Sequence, residues 1–122
     1  SANQDLCELN LKNLPNLKIL DIRGCRIKYL SSEDLPASIE EIYASANQDL
    51  CELNLKNLPN LKILDIRGCR IKYLSSEDLP ASIEEIYVGG YEEFQGVDPS
   101  LYDKTKFPNL REIYIDYSII CE

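Results

Sequence analysis

The sequence predicts an α/β fold: a right-handed solenoid with a curved parallel sheet and about 22 residues per repeat. Three observations point there. Residues 1–43 return letter for letter as residues 45–87, at an offset of 44. Inside that block lies a shorter, approximate period, with apolar residues opening a common frame at 17, 39, 61, 83 and 110. The spacings are 22, 22, 22 and 27. Within each frame an alternation such as Leu20-x-Ile22 puts two side chains on one face of a short strand. One such unit cannot bury its apolar face alone, so neighbours stack and share a continuous core.

The frames order residues 1–122 as one domain, with a partial repeat over 1–16 and a longer unit over 83–109. In the first frame, "LKILDIRGCRI", Leu17, Leu20, Ile22 and Ile27 point inward. After each strand the chain turns and buries polar backbone groups that need partners. Cys25 sits there in the first frame and Asn47 in the second. An amide bonds such groups directly, and a thiol fits as a small buried group with a weak donor. Both residues are expected to be structural. The third frame copies the first with Leu61, Leu64, Ile66, Cys69 and Ile71.

These residues resemble the leucine-rich repeat family, whose pattern is LxxLxLxxN/CxL with one strand per coil. Leu17, Leu20, Ile22, Cys25 and Ile27 match every position, as do their five copies from Leu61. The unit from Ile39 departs after Asn47: Asp49 takes the usual last apolar place and Leu50 follows it. The unit from Ile83 has Tyr91 in the Asn/Cys place, and the last unit has Ser118. "LPASIEEIYASAN" also resembles the LPxxLxxLxVxxN units of bacterial effector proteins, with Ile and Ala as conservative departures.

Between strands, "LSSEDLPASI" offers Ser31 or Ser32 as a cap before Glu33 and Asp34, and Pro36 then ends the turn. So little chain lies outside each strand that single helical turns, 3-10 pieces or extended segments are expected there. "LNLKNLPN" carries Leu53, Leu55 and Leu58 and reads as extended. In "GGYEEFQGVDPSLYDKTK", Gly89, Gly90 and Asp98-Pro99 break the pattern. Tyr91, Phe94 and Tyr102 there are either contact residues or a plug for the last coil, with the plug favoured. "REIYIDYSIICE" supplies a final edge strand and an apolar tail. Ser1 falls in mid-unit, so the first coil is expected to expose core residues and an unpaired strand edge. That edge is a candidate surface for a homo-oligomer. Tandem identity over 43 residues suggests an engineered duplication.

Composition narrows function. Asp and Glu number 21 against 13 Lys and Arg, for a net charge of -8. Nucleic acid and anionic membrane, which call for clustered cations, are poor partners for such a chain. There is no His, the commonest general base and metal ligand. No Gly-rich phosphate loop or Cys-x-x-Cys pair is present. No cofactor and no metal are expected, and the chain reads as non-enzymatic. Cys7 and Cys51 are copies of one position, as are Cys25 and Cys69. Two coils separate each pair by roughly 10 Å, beyond the reach of a disulfide. The five cysteines are expected to be reduced, which favours a cytoplasmic or recombinant intracellular setting.

In the family this fold resembles, partners dock on the concave sheet face, where residues between the buried ones point outward. Three columns follow. The first is Ile19, Glu41, Ile63, Glu85 and Glu112; the second is Asp21, Tyr43, Asp65, Tyr87 and Tyr114. Arg23, Ser45, Arg67, Gly89 and Asp116 form the third. The charged and aromatic members are the candidate protein-binding residues, for a protein partner of unknown identity. The resemblance implies a protein-interaction module or engineered scaffold. The alternatives are the substrate-recognition part of a bacterial effector and a designed repeat that only self-associates.

Overall fold

The computed structural model describes residues 9–118. Seven short strands appear: β1 (Ile19–Asp21), β2 (Tyr29–Ser31), β3 (Glu41–Tyr43), β4 (Glu52–Asn54), β5 (Ile63–Asp65), β6 (Glu85–Gly89) and β7 (Glu112–Asp116). One five-stranded sheet runs in the order β1-β3-β5-β6-β7, and all its pairings are parallel. β2 and β4 form a second parallel pair on the other side of the coil, and the bridge Leu74–Val97 repeats that arrangement farther along. The result is a solenoid in which each coil adds one rung to the main sheet.

The alternation seen in the sequence builds the core. Leu20, Ile42, Leu64 and Ile86 are buried, each the second residue of its strand. Ile22, Ala44, Ile66 and Val88 form the next stack inward, and Ile39, Leu61, Ile83 and Leu110 close the coil ahead of the strands. Each fully buried Leu or Ile contributes roughly 1.5–3 kcal/mol of transfer free energy. Leu17 is half-buried whereas its copy Leu61 is completely enclosed, because Leu61 has a coil on both sides.

The outer side of the coil is extended chain and 3-10 turns at Ser32–Asp34, Ser76–Asp78 and Pro99–Tyr102, with no α-helix among the described residues. Ser31 caps the first turn by accepting the Glu33 N–H at 3.1 Å, and its copy Ser75 accepts Glu77 likewise. Leu55 and Leu58 are buried in the segment expected to be extended, which β4 opens. The misfit after Asn47 resolves by a one-residue slip: β2 pairs with β4 at an offset of 23, Tyr29 opposite Glu52. Leu50 thereby enters the core in place of Asp49, which stays half-exposed.

The longer unit corrects one expectation. Phe94 packs against the core, but Tyr102 is 61% exposed and plugs nothing. Leu101 and Phe107 fill the last coil instead. Asp98 holds them in place: it accepts the Ser100 N–H at 2.9 Å, starting the 3-10 turn, and the Ser76 N–H of the preceding coil at 3.0 Å. These bonds hold its carboxyl down at about 2. The expectations for the edge at Ser1, for Cys7, for the apolar tail and for Cys121 lie outside the described residues.

Candidate functional site on the sheet face

Register decides which side chains share the face. Parallel pairing aligns Ile19, Glu41, Ile63, Glu85 and Glu112 in one column and Asp21, Tyr43, Asp65, Tyr87 and Tyr114 in the next. The ladder continues past the strand ends, where Gly24 N–H donates to Ser45 O at 3.0 Å and Ala46 N–H to Arg67 O at 2.8 Å. Gly68 N–H donates to Gly89 O at 2.8 Å, and Gly89 pairs with Asp116. Arg23, Ser45, Arg67, Gly89 and Asp116 therefore form the third column. All eleven candidate residues lie on one face.

Two copies of an Asp-x-Arg clamp mark it. Arg23 Nε donates to Asp21 Oδ1 at 2.8 Å and Nη2 to Oδ2 at 2.7 Å. Arg67 grips Asp65 in the same way at 2.9 and 2.7 Å. This is the planar fork that Arg alone offers a carboxylate. Position separates the copies: the Asp21 side chain is 48% exposed, the Asp65 side chain 8%, since β5 has strands on both sides. The clamped Arg67 guanidinium lies 5.4 Å from the Tyr87 ring centroid and 6.0 Å from that of Tyr114. Those rings are 6.1 Å apart and tilted by 41°. Both cation–ring distances fall within the attractive range. The Asp65 carboxylate raises the pKa of Arg67 above its ordinary value, chiefly by accepting its hydrogen bonds. Three side chains thus form a preset cation–aromatic cluster.

The acidic column is pinned as well. Tyr43 donates its hydroxyl to Glu41 Oε1 at 2.5 Å, and Tyr87 to Glu85 Oε1 at 2.7 Å. The bond to Glu41, with burial second, pushes the Tyr43 phenol up to about 12. Tyr87 is raised by its bond to Glu85, and that same bond, with Arg111 adding to it, holds the Glu85 carboxyl below its usual range. Arg111 Nη1 donates to Glu84 Oε1 at 3.0 Å while Nη2 reaches Glu85. Asp116 accepts the Ser118 N–H at 2.9 Å and hydroxyl at 2.5 Å, which lowers its pKa.

Arg111 was absent from the candidates. The period holds the signal for it: Arg111 precedes its strand as Lys18, Glu40, Lys62 and Glu84 precede theirs, so it lies beside Glu84 once the five-residue insertion is counted. Below the face, Asn47 is buried and structural. Its amide donates to Ile22 O and Ala44 O, both at 2.9 Å, and its Oδ1 accepts the Ile27 N–H at 3.3 Å. Cys69 takes the same place one coil later and donates to Ala44 O at 3.2 Å. Burial pushes its thiol up to about 12, so it stays protonated and inert at neutral pH. Cys25, Cys51 and Cys69 are unpaired thiols. Among the described residues no group of three or more His, Cys, Asp or Glu is placed to hold a metal ion, and no helix is long and apolar enough to cross a membrane.

With this geometry in view, two segments match a family. The sequence model described as Leucine Rich Repeat matches residues 16–42 and 60–86. Residues 16–42 and 60–86 are leucine-rich repeats. Each matched segment runs from just ahead of one main-sheet strand into the next, β1 to β3 and β5 to β6. The leucine-rich repeats thus account for the coil itself, while the cluster on its face belongs to the residues between the repeat positions. No curated protein and no solved structure matches the chain.

Proposed function

We propose that this repeat protein is a non-enzymatic protein-interaction module that docks a partner on the face of its five-stranded sheet. The supporting observation is the Arg67–Tyr87–Tyr114 cluster, fixed from below by Asp65. Arg and Tyr dominate the energetics of protein interfaces, and a cluster already in place loses little entropy on binding. Tyr114 remains 46% exposed, so its ring has area left to bury. Around it lie Glu41, Glu85, Glu112 and Asp116, against few cations. The surround therefore favours a partner whose rim is basic and whose centre is apolar. Catalysis finds no support in the same residues. Asp21 and Asp65 are each held by their own arginine, and Glu41 and Glu85 by tyrosines.

Affinity capture with immobilised protein tests the reading. Tyr87→Ala and Tyr114→Ala are expected to lower recovery of a captured partner at least tenfold, consistent with about 2 kcal/mol or more for a hot-spot side chain. Lys56→Ala, exposed and off this face, should leave recovery unchanged. Equal recovery with all three variants, at unchanged circular dichroism, would refute the proposal.

A further inference from the structure

A second surface, independent of the sheet face, carries the opposite charge. The turns that follow β1 and β5 each read "RGCRIKYL". They flank an open depression of about 870 Å³. Arg26 and Lys28 line it from one coil, Arg70 and Lys72 from the other, and Asp49 and Cys51 from the coil between. Asp49 is the one carboxylate in that lining, in a chain whose acids outnumber its bases 21 to 13.

The duplication explains the placement. Cys51 N–H donates to Lys28 O at 3.0 Å and Arg70 N–H to Leu50 O at 2.8 Å, which stacks the three coils in order. Identical cation pairs thus stand one intervening coil apart, roughly 10 Å by strand spacing. Their charge is weakly compensated. Arg26 meets the half-exposed Asp49 and Lys72 meets the exposed Glu93, each at 3.5 Å, and ion pairs so open to solvent are worth little. Among the described residues, Lys28 and Arg70 have no ion-pair partner.

We propose that this depression is a binding site for an acidic peptide lying extended across the coils. Such a strand presents same-face carboxylates every roughly 7 Å, which two cation pairs on flexible stems can meet. Tyr73, 49% exposed at the edge, supplies area for the peptide's apolar portions. A nucleic acid fits less well. Its backbone calls for a long row of cations, and beyond this block it meets a chain of net charge -8.

The test titrates the whole protein into a fluorescein-labelled hexaglutamate peptide and follows anisotropy. Saturable binding is expected. It should weaken at least tenfold when salt rises from about 0.01 M to about 0.15 M, as the screening length falls from about 30 Å to about 8 Å. Arg70→Gln with Lys72→Gln, both exposed and outside the core, should weaken it at least tenfold again. Lys12→Gln with Lys56→Gln, both exposed and outside the lining of the depression, should leave it unchanged. Bound peptide should also slow alkylation of the exposed Cys51, which lies on a different tryptic fragment from its copy Cys7. Absence of saturation would overturn the assignment, as would equal loss in both double variants. Equally tight binding of a single-stranded oligonucleotide through the same four cations would overturn the choice of a peptide.

Discussion

One amide closes the turn after β3, and the thiol that replaces it a coil later shows how much latitude that place allows. Asn47 satisfies three backbone groups, whereas Cys69 reaches one. Both were legible in the sequence because the position recurs with the period and chemistry limits it to small polar groups. The Arg67–Tyr87–Tyr114 cluster was legible only as column membership. Its contacts depend on side-chain directions set by the clamp at Asp65, which no periodicity encodes. The Tyr43–Glu41 pair was equally hidden, and it leads to a pH prediction. A phenol raised from 10.0 to about 12 in the folded state favours its protonated form there. The associated stability is therefore complete below pH about 10 and disappears as pH climbs through about 12. In a tyrosinate absorbance titration, a late step near 12 should belong to Tyr43. Glu41→Gln should bring that step back toward 10, because it removes the negative acceptor that is the main cause of the shift. A titration unmoved by Glu41→Gln would assign the shift to burial.

Among elements, the turns obey the period more strictly than the letters do. Positive φ occurs at Gly24 (72°), Ala46 (62°), Gly68 (76°) and Gly90 (74°), every 22 residues. Three of these places hold glycine and the second coil holds alanine, whose Cβ makes the left-handed conformation costly by roughly 1–2 kcal/mol. Glycine returns roughly 0.4–1 kcal/mol of that through the freedom it adds to the unfolded chain. Ala46→Gly should therefore stabilise the protein by roughly 0.5–1 kcal/mol, read from the midpoint of urea unfolding. Gly68→Ala should shift the midpoint the other way, because it installs the same strain at the next turn. Two shifts of one sign would contradict this account. The strands were readable from alternation alone. The slip that brings Leu50 inward was not, since Asp49 and Leu50 compete for one place and only packing decides it. The role of Leu101 and Phe107 was hidden too, because the insertion suspends the period that reveals core positions elsewhere.

At the scale of the molecule, the fold was legible because one rule, applied five times, leaves little freedom: each frame contributes a rung and a stack of buried side chains. Function was less legible, because the repeat says which residues face outward and nothing about what meets them. The same rule shapes the response to mutation. In a stack, each coil touches only its neighbours, so stability is close to a sum of coil and interface contributions. Leu64 is fully buried in β5, with β3 on one side and β6 on the other. Leu64→Ala should cost about 2–5 kcal/mol and open both interfaces. Ile113 is half-buried in β7, which among the described residues pairs with β6 alone. Ile113→Ala should cost less and open one interface. Amide hydrogen exchange separates the two: the first variant should lose protection in β3, β5 and β6 together. The second should lose it in β7, and less in β6, with β1 and β3 unchanged. A uniform loss across all five strands from Ile113→Ala would mean that the coils unfold as one cooperative core, and the nearest-neighbour description would have to be given up.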